Sequence, residues 1–340
     1  MTLNMHLAVL FLFTLIRGYS ATTSCDVEGS GCVYRVTCFF HPGSTTNPSC
    51  NSEPNVTFVI KSSVAGTVTT AFFGATNFDS RVRTIQAINN TWMTLGSLAF
   101  RYYYKVKRID LSGNFIHEIQ DEAFRTLVPL TYLNLSNNMI SELNPKSLLI
   151  TESKNTELKT LDLSYNKLSH IFEEMLTHLP NLTELYLQEN KLKTLGDNCF
   201  GSQKYLITLY LQHNYIGRLN MTLISLKQLK YLDLSYNYLK TISGYETNRL
   251  LAVEKINISH NVLQNVESNC FVQSANLQVV DLSYNLISTP LENLMFSGNV
   301  KLQHLDLYDN RIPSIESNSF KHNKLAYLNI KKNKLSGEIK

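Results

Sequence analysis

From residue 82 onward, apolar and polar positions follow a nine-residue signature, L-x-x-L-x-L-x-x-N, that recurs at a nearly constant distance. Ten clear copies end at Asn114, Asn138, Asn166, Asn190, Asn214, Asn237, Asn261, Asn285, Asn310 and Asn333, and one degenerate copy, VRTIQAINN, ends at Asn90. The intervals between the ten are 24, 28, 24, 24, 23, 24, 24, 25 and 23 residues. Self-similarity at this period marks a solenoid, in which each repeat buries its apolar face only against its neighbours. Within L-x-L the alternation is that of a short strand, with both leucines inward and the residue between them outward. Stacked repeats then pair these strands in parallel. The predicted fold class is an α/β solenoid with a parallel concave β-sheet and an irregular or short-helical convex side.

The asparagine sits where the chain leaves the strand, and its amide carries donors and an acceptor for the backbone of the turn and of the adjacent repeat. Two residues later comes an apolar residue in every copy, from Ile116 to Leu335. Ten residues past the asparagine, Phe124, Leu148, Leu176, Phe200, Ile224, Phe271, Met295 and Phe320 are expected to fill the convex half of the core, with Thr247 the exception. The 28-residue interval is expected to bulge from the convex side through NPKSLLITESKNTE.

Residues 1–20 read as a signal peptide: the apolar run Leu7–Ile16 is too short to cross a bilayer, and Gly18, Tyr19 and Ser20 follow it before a cleavage site near Ala21. The alternative is a membrane anchor. Residues 21–81 form a cysteine-bearing N-terminal cap and residues 82–340 the repeats. Cys25, Cys32, Cys38 and Cys50 read as two disulfides stapling the cap, with three connectivities open and a zinc site as the alternative. Cys199 and Cys270 occupy the same repeat position, three repeats apart. At about 4.8 Å per strand they stand about 14 Å from each other, beyond the roughly 7 Å reach of a disulfide. Two buried free thiols are predicted.

These features together resemble the extracellular leucine-rich-repeat superfamily, whose fold is a horseshoe. The cap's CVYRVTC, the stretch VTFVIKSSV and the passage INNTWMTLGSLAF are similar to mosquito leucine-rich immune proteins, with Toll-type receptor ectodomains and insect adhesion proteins as wider relatives. The resemblance implies a secreted, extracellular binding protein. Those immune proteins continue into a cysteine-rich cap and a coiled coil that have no counterpart in these 340 residues, so dimerisation and capture through such parts do not carry over.

On the concave face the outward column runs Gln86, Asp110, Asn134, Asp162, Tyr186, Tyr210, Asp233, Asn257, Asp281, Asp306 and Asn329. Its acidic line is explained as repeat consensus, or as a binding surface. The break at Tyr186 and Tyr210, flanked by Glu184, Gln188, Thr208 and Gln212 and followed by Tyr231, is the candidate ligand site, because tyrosines give contact area at low entropic cost. Glycosylation sequons lie at Asn55, Asn89, Asn134, Asn181, Asn220 and Asn257. If Asn134 and Asn257 carry glycans, they bracket an open window of Asp162, Tyr186, Tyr210 and Asp233. His304, Tyr308 and Tyr327 form a second group, whereas His213 and His260 read as solvated turn residues.

Net charge is +4 and scattered, which argues against a nucleic-acid surface. No phosphate loop, nucleophile elbow or H-E-x-x-H is present, so no enzyme, cofactor or metal is expected. The expected partners are proteins or microbial surface glycans, in innate-immune recognition. Adhesion or developmental signalling, and inhibition of an extracellular enzyme, are the alternatives.

Overall fold

The computed structural model describes residues 25–30, 33–39, 55–61, 67–68, 81–151, 156–292 and 295–336. The signal segment, Cys32, Cys50 and residues 152–155 of the long repeat lie outside the described residues. One sheet of fourteen strands runs in chain order. Only its first pair, Cys25–Ser30 with Val33–Phe39, is antiparallel, and its register sets Cys25 opposite Cys38. Every later strand pairs in parallel, including Asn55–Lys61, which joins the sheet ahead of Val82–Gln86.

Register is fixed by the inward leucines. Leu161, Leu185, Leu209 and Leu232 are direct partners across four strands, and all are buried. Shifting one strand by a single residue would expose its entire apolar set, so the stacking admits one alignment. Away from this sheet, the described residues form turns, short parallel pairs such as Thr194–Leu195 with His170–Ile171, a 3-10 turn at Glu173–Leu176 and an α-helical turn at Gly244–Thr247. This is the solenoid expected, with little helix.

The repeat asparagines from Asn90 to Asn310 are buried, Asn333 is half-buried, and each joins its coil to the one before it. In the ten clear copies and at Asn90, Nδ2 donates to a carbonyl of the preceding coil at 2.7–3.1 Å. In the ten, Oδ1 accepts a backbone N–H of that same coil at 2.9–3.2 Å. The residue immediately before each asparagine is left-handed: φ is 53° at Tyr165, 56° at Glu189, 55° at His213, 54° at Tyr236 and His260, and 53° at Tyr284. An L-residue there costs about 1–2 kcal/mol, which the amide bonds of the adjacent asparagine offset.

The convex core stacks phenylalanines from coil to coil: Phe100 on Phe124 at 5.7 Å, Phe271 on Phe296 at 6.0 Å and Phe296 on Phe320 at 6.3 Å. Two expected positions shift by one residue. Leu223, fully buried, fills the place assigned to Ile224, which is half-buried. Phe296 stacks where Met295 was expected, although Met295 is buried beside it. The cause is where the length change falls: the 23-residue repeat after Asn214 loses its residue, and the 25-residue repeat after Asn285 gains one, between the asparagine and the convex core.

Cys199 and Cys270 are buried free thiols. Burial pushes the Cys199 thiol up to about 12 and that of Cys270 up as well, so both stay protonated at physiological pH. Alkylation of the native protein at neutral pH should leave both unmodified, while urea should make both reactive. Rapid native labelling of either thiol would contradict this burial. Replacing Asn214 by Ala should cost about 3 kcal/mol in urea unfolding, because it strands the buried Leu192 N–H and removes one of the two donors to the Leu187 carbonyl, which keeps Asn190. The exposed-turn change Gln228→Ala should stay within about 0.5 kcal/mol. A comparable loss in both variants would show that the ladder has no special weight.

Candidate ligand-binding surface

Most of the acidic concave column closes turns. Oδ1 of Asp110, Asp162, Asp233 and Asp281 accepts the N–H of the serine two residues on at 2.9–3.0 Å and its hydroxyl at 2.6–2.7 Å. Asn257 accepts the same pair from Ser259, and Asn134 the Ser136 N–H. The Asp-x-Ser unit is therefore a local cap, in which one carboxylate oxygen belongs to the fold.

Two adjacent repeats abandon this unit. Tyr186-x-Gln188 and Tyr210-x-Gln212 stand where six repeats carry Asp-x-Ser or Asn-x-Ser, while Asp306-x-Tyr308 and Asn329-x-Lys331 keep the acceptor without the serine. The strand register aligns Asn134, Asp162, Tyr186, Tyr210, Asp233 and Asn257 as successive partners, which brings the window together as expected. The two tyrosine rings stack at 5.2 Å between centroids. The Tyr186 hydroxyl donates to Glu184 Oε2 at 3.4 Å, and Thr160 donates to the same oxygen at 3.1 Å. Burial, then the charge of Glu184, pushes the Tyr186 hydroxyl up to about 12, so it remains a donor. Oε1 of Gln188 and of Gln212 is buried with no hydrogen-bond partner. These two repeats lack the capping bonds and hold unpartnered polar atoms beside half-buried tyrosine rings.

A shallow cavity of about 260 Å³ adjoins the pair toward the C-terminal side, lined by Tyr210, Tyr231, Asp233, Lys255, Asn257 and Asp281. Lys255 Nζ stands 5.6 Å from the centre of the Tyr231 ring. Lys255 was missed by sequence reading, because it occupies a strand flank whose residue type varies freely, with Tyr231 before it and Val279 after it.

The sequons differ in setting. Asn89 and Asn220 are exposed, whereas Asn134, Asn181 and Asn257 are half-buried. Asn181 Nδ2 donates to the Thr156 carbonyl at 2.7 Å, and Asn257 Nδ2 to Asp233 Oδ2 at 3.4 Å. The Asn55 side chain lies outside the described residues, as do those of Cys25 and Cys38. His304 stacks on Tyr327 at 4.1 Å. Among the described residues, no three His, Cys, Asp or Glu converge as a metal site, and no helix is long and apolar enough to cross a membrane.

One feature escaped sequence reading. His213, Tyr236, His260 and Tyr284 stack face to face at 4.1–4.2 Å, along the edge where the chain leaves the concave strands. The signal was present as aromatic residues preceding four successive ladder asparagines. Their shared left-handed backbone points them the same way.

Residues 105–149, 151–192, 180–239, 204–263, 227–287 and 252–312 match the family described as leucine rich repeat. Mouse lumican is 30% identical over 214 residues, covering 62% of this chain and 60% of lumican. Human Toll-like receptor 3 is 29% identical over 232 residues, covering 63% of this chain and 25% of the receptor. The chain thus spans three fifths of one relative's length and a quarter of the other's. Toll, solved with Spatzle from Drosophila, superposes with a TM-score of 0.72 at 22% identity, over 82% of this chain and 36% of that one. At that identity the likeness is one of fold. Family match, register and asparagine ladder agree, and the chain belongs to the leucine-rich-repeat family.

Proposed function

We propose that this chain is a secreted, extracellular recognition protein of innate immunity. It binds host immune proteins or microbial surface components through the concave window of Asp162, Glu184, Tyr186, Gln188, Tyr210, Gln212, Tyr231 and Asp233. The carrying observation is the paired loss of both the capping acceptor and its serine at Tyr186–Gln188 and Tyr210–Gln212, which leaves a stacked tyrosine pair and two orphaned amide oxygens between the capped repeats of Asp162 and Asp233. Buried polar atoms without partners destabilise a fold, and they persist where an external group completes them. Acidic neighbours on both sides favour a ligand that presents basic and apolar groups.

A wide sheet suits a macromolecular partner better than a small substrate. The same fold in Toll is seen in complex with Spatzle. Glycans at Asn134 and Asn257 would frame the window, and the exposed Asn89 and Asn220 would carry glycans away from it. An oxidising compartment fits a cap that carries four cysteines, of which Cys25 and Cys38 face each other in the strand register.

The test restores the repeat consensus through Tyr210→Asp combined with Gln212→Ser. Stability should stay within about 1 kcal/mol of the parent, since two new hydrogen bonds replace one ring stack and one orphaned oxygen. Binding of the secreted protein to bacterial cells, fungal cells or haemolymph proteins should fall at least about tenfold. Unchanged binding by this folded variant would remove the concave window from the mechanism.

A further inference from the structure

The stacked ring edge borders a groove of about 700 Å³ that is separate from the concave window. One wall is the row His213, Tyr236, His260 and Tyr284. The other wall carries Tyr215 and Tyr238, whose rings are parallel at 5.8 Å, and the ladder asparagines line the groove between the two walls. Packing alone does not account for these rings, since Tyr215, Tyr236, Tyr238 and Tyr284 remain 44–52% exposed. Because the first row stacks face to face, it offers edges outward: a comb of phenol oxygens and imidazole nitrogens, at one ring per repeat. Such a comb suits a hydroxyl-rich chain lying along the solenoid.

Immediately beyond the second row lies a cavity of about 260 Å³ lined by Lys193, Arg218 and Lys240, with Thr194, Gly217 and Asn220. Lys191 joins from the groove lining. All four cations are exposed, and among the described residues none forms an ion pair with a carboxylate. The one carboxylate in the groove, Glu189, stands at its end, 3.8 Å from His213. Aromatic hydroxyl comb and cationic strip run side by side across the same repeats.

We propose that this edge is a second binding site, for an acidic polysaccharide. Its hydroxyls lie against the aromatic rows, and its sulfate or carboxylate groups meet Lys191, Lys193, Arg218 and Lys240. Mutually repelling cations left without carboxylates favour a polyanion, and the aromatic comb selects a sugar chain over other polyanions. The site does not rest on the concave reading, and either can fail alone.

The test measures heparin binding by the secreted protein carrying Asn220→Gly, which removes a sequon beside Arg218 and suits that residue's φ of 48°. Affinity should fall as salt rises. Lys193→Gln, Arg218→Gln and Lys240→Gln together should weaken binding about tenfold or more. Tyr236→Asn with Tyr238→Ala, the asparagine chosen for its left-handed backbone, should weaken it about fivefold with the salt dependence kept. The concave variant Tyr210→Asp/Gln212→Ser should bind heparin as the parent does, which separates the two sites. Parent-like binding by the charge triple or by the tyrosine pair overturns the proposal. So does equal competition by duplex DNA or by phosphatidylserine vesicles, which would mark a general polyanion surface.

Discussion

Everything in this molecule depends on one hydrogen-bonded amide, repeated once per coil. Each ladder asparagine donates to one backbone carbonyl of the preceding coil and accepts one of its N–H groups, and the pair is buried in every clear copy but the last. That pair of bonds closes the turn, sets the distance to the next coil and holds the preceding residue left-handed. A glutamine would overreach and an aspartate would have no donor, so the residue type follows from geometry. Leucine burial supplies the bulk of the stabilisation, but leucines alone would not choose a turn. Apolar burial gives the coil its cohesion and the asparagine gives it its shape.

The aspartate–serine caps extend the same logic to the concave face. Where they are intact, that face is largely occupied with its own structure, and its acidity follows from turn closure. The two tyrosine repeats are conspicuous because they lack this self-satisfaction. A repetitive scaffold thus separates roles by departure from the repeat: what obeys the pattern holds the fold, and what breaks it is available to a ligand.

Positions tied to the period were legible in the sequence, because burial, the asparagine and the outward residue recur at fixed offsets. The strand partners of Tyr186 and Tyr210 and the buried, unpaired state of Cys199 and Cys270 followed from that alone. Less was legible where length varies. Ile224 and Met295 were assigned by counting from the asparagine, but a deletion and an insertion before the convex core moved the true positions to Leu223 and Phe296. The aromatic edge was hidden for another reason. Residues before the asparagine vary in type, among Tyr, His, Glu, Asp, Asn, Lys and Gly, so pattern reading treats them as solvent-facing. Only the common left-handed φ, a property of the backbone, shows that they project as one file. Lys255 was missed because its significance lies in what faces it across the sheet.

The ring spacings also carry mechanical information. Stacked centroids stand 4.1–4.2 Å apart at the His–Tyr edge and 5.7–6.3 Å apart among the convex phenylalanines. The coils therefore fan like the pages of a bent book, with the phenylalanines acting as wedges along the outer margin. Wedge size sets the angle between coils, while the asparagine bonds fix their spacing at the ladder. A thinner residue in the Phe271–Phe296–Phe320 file would relax the curvature and re-angle the comb of side chains offered to a ligand, with no binding residue altered. The convex core is in this sense a protractor, and a family built on the coil can retune the angle its partners meet by changing residues that never touch them.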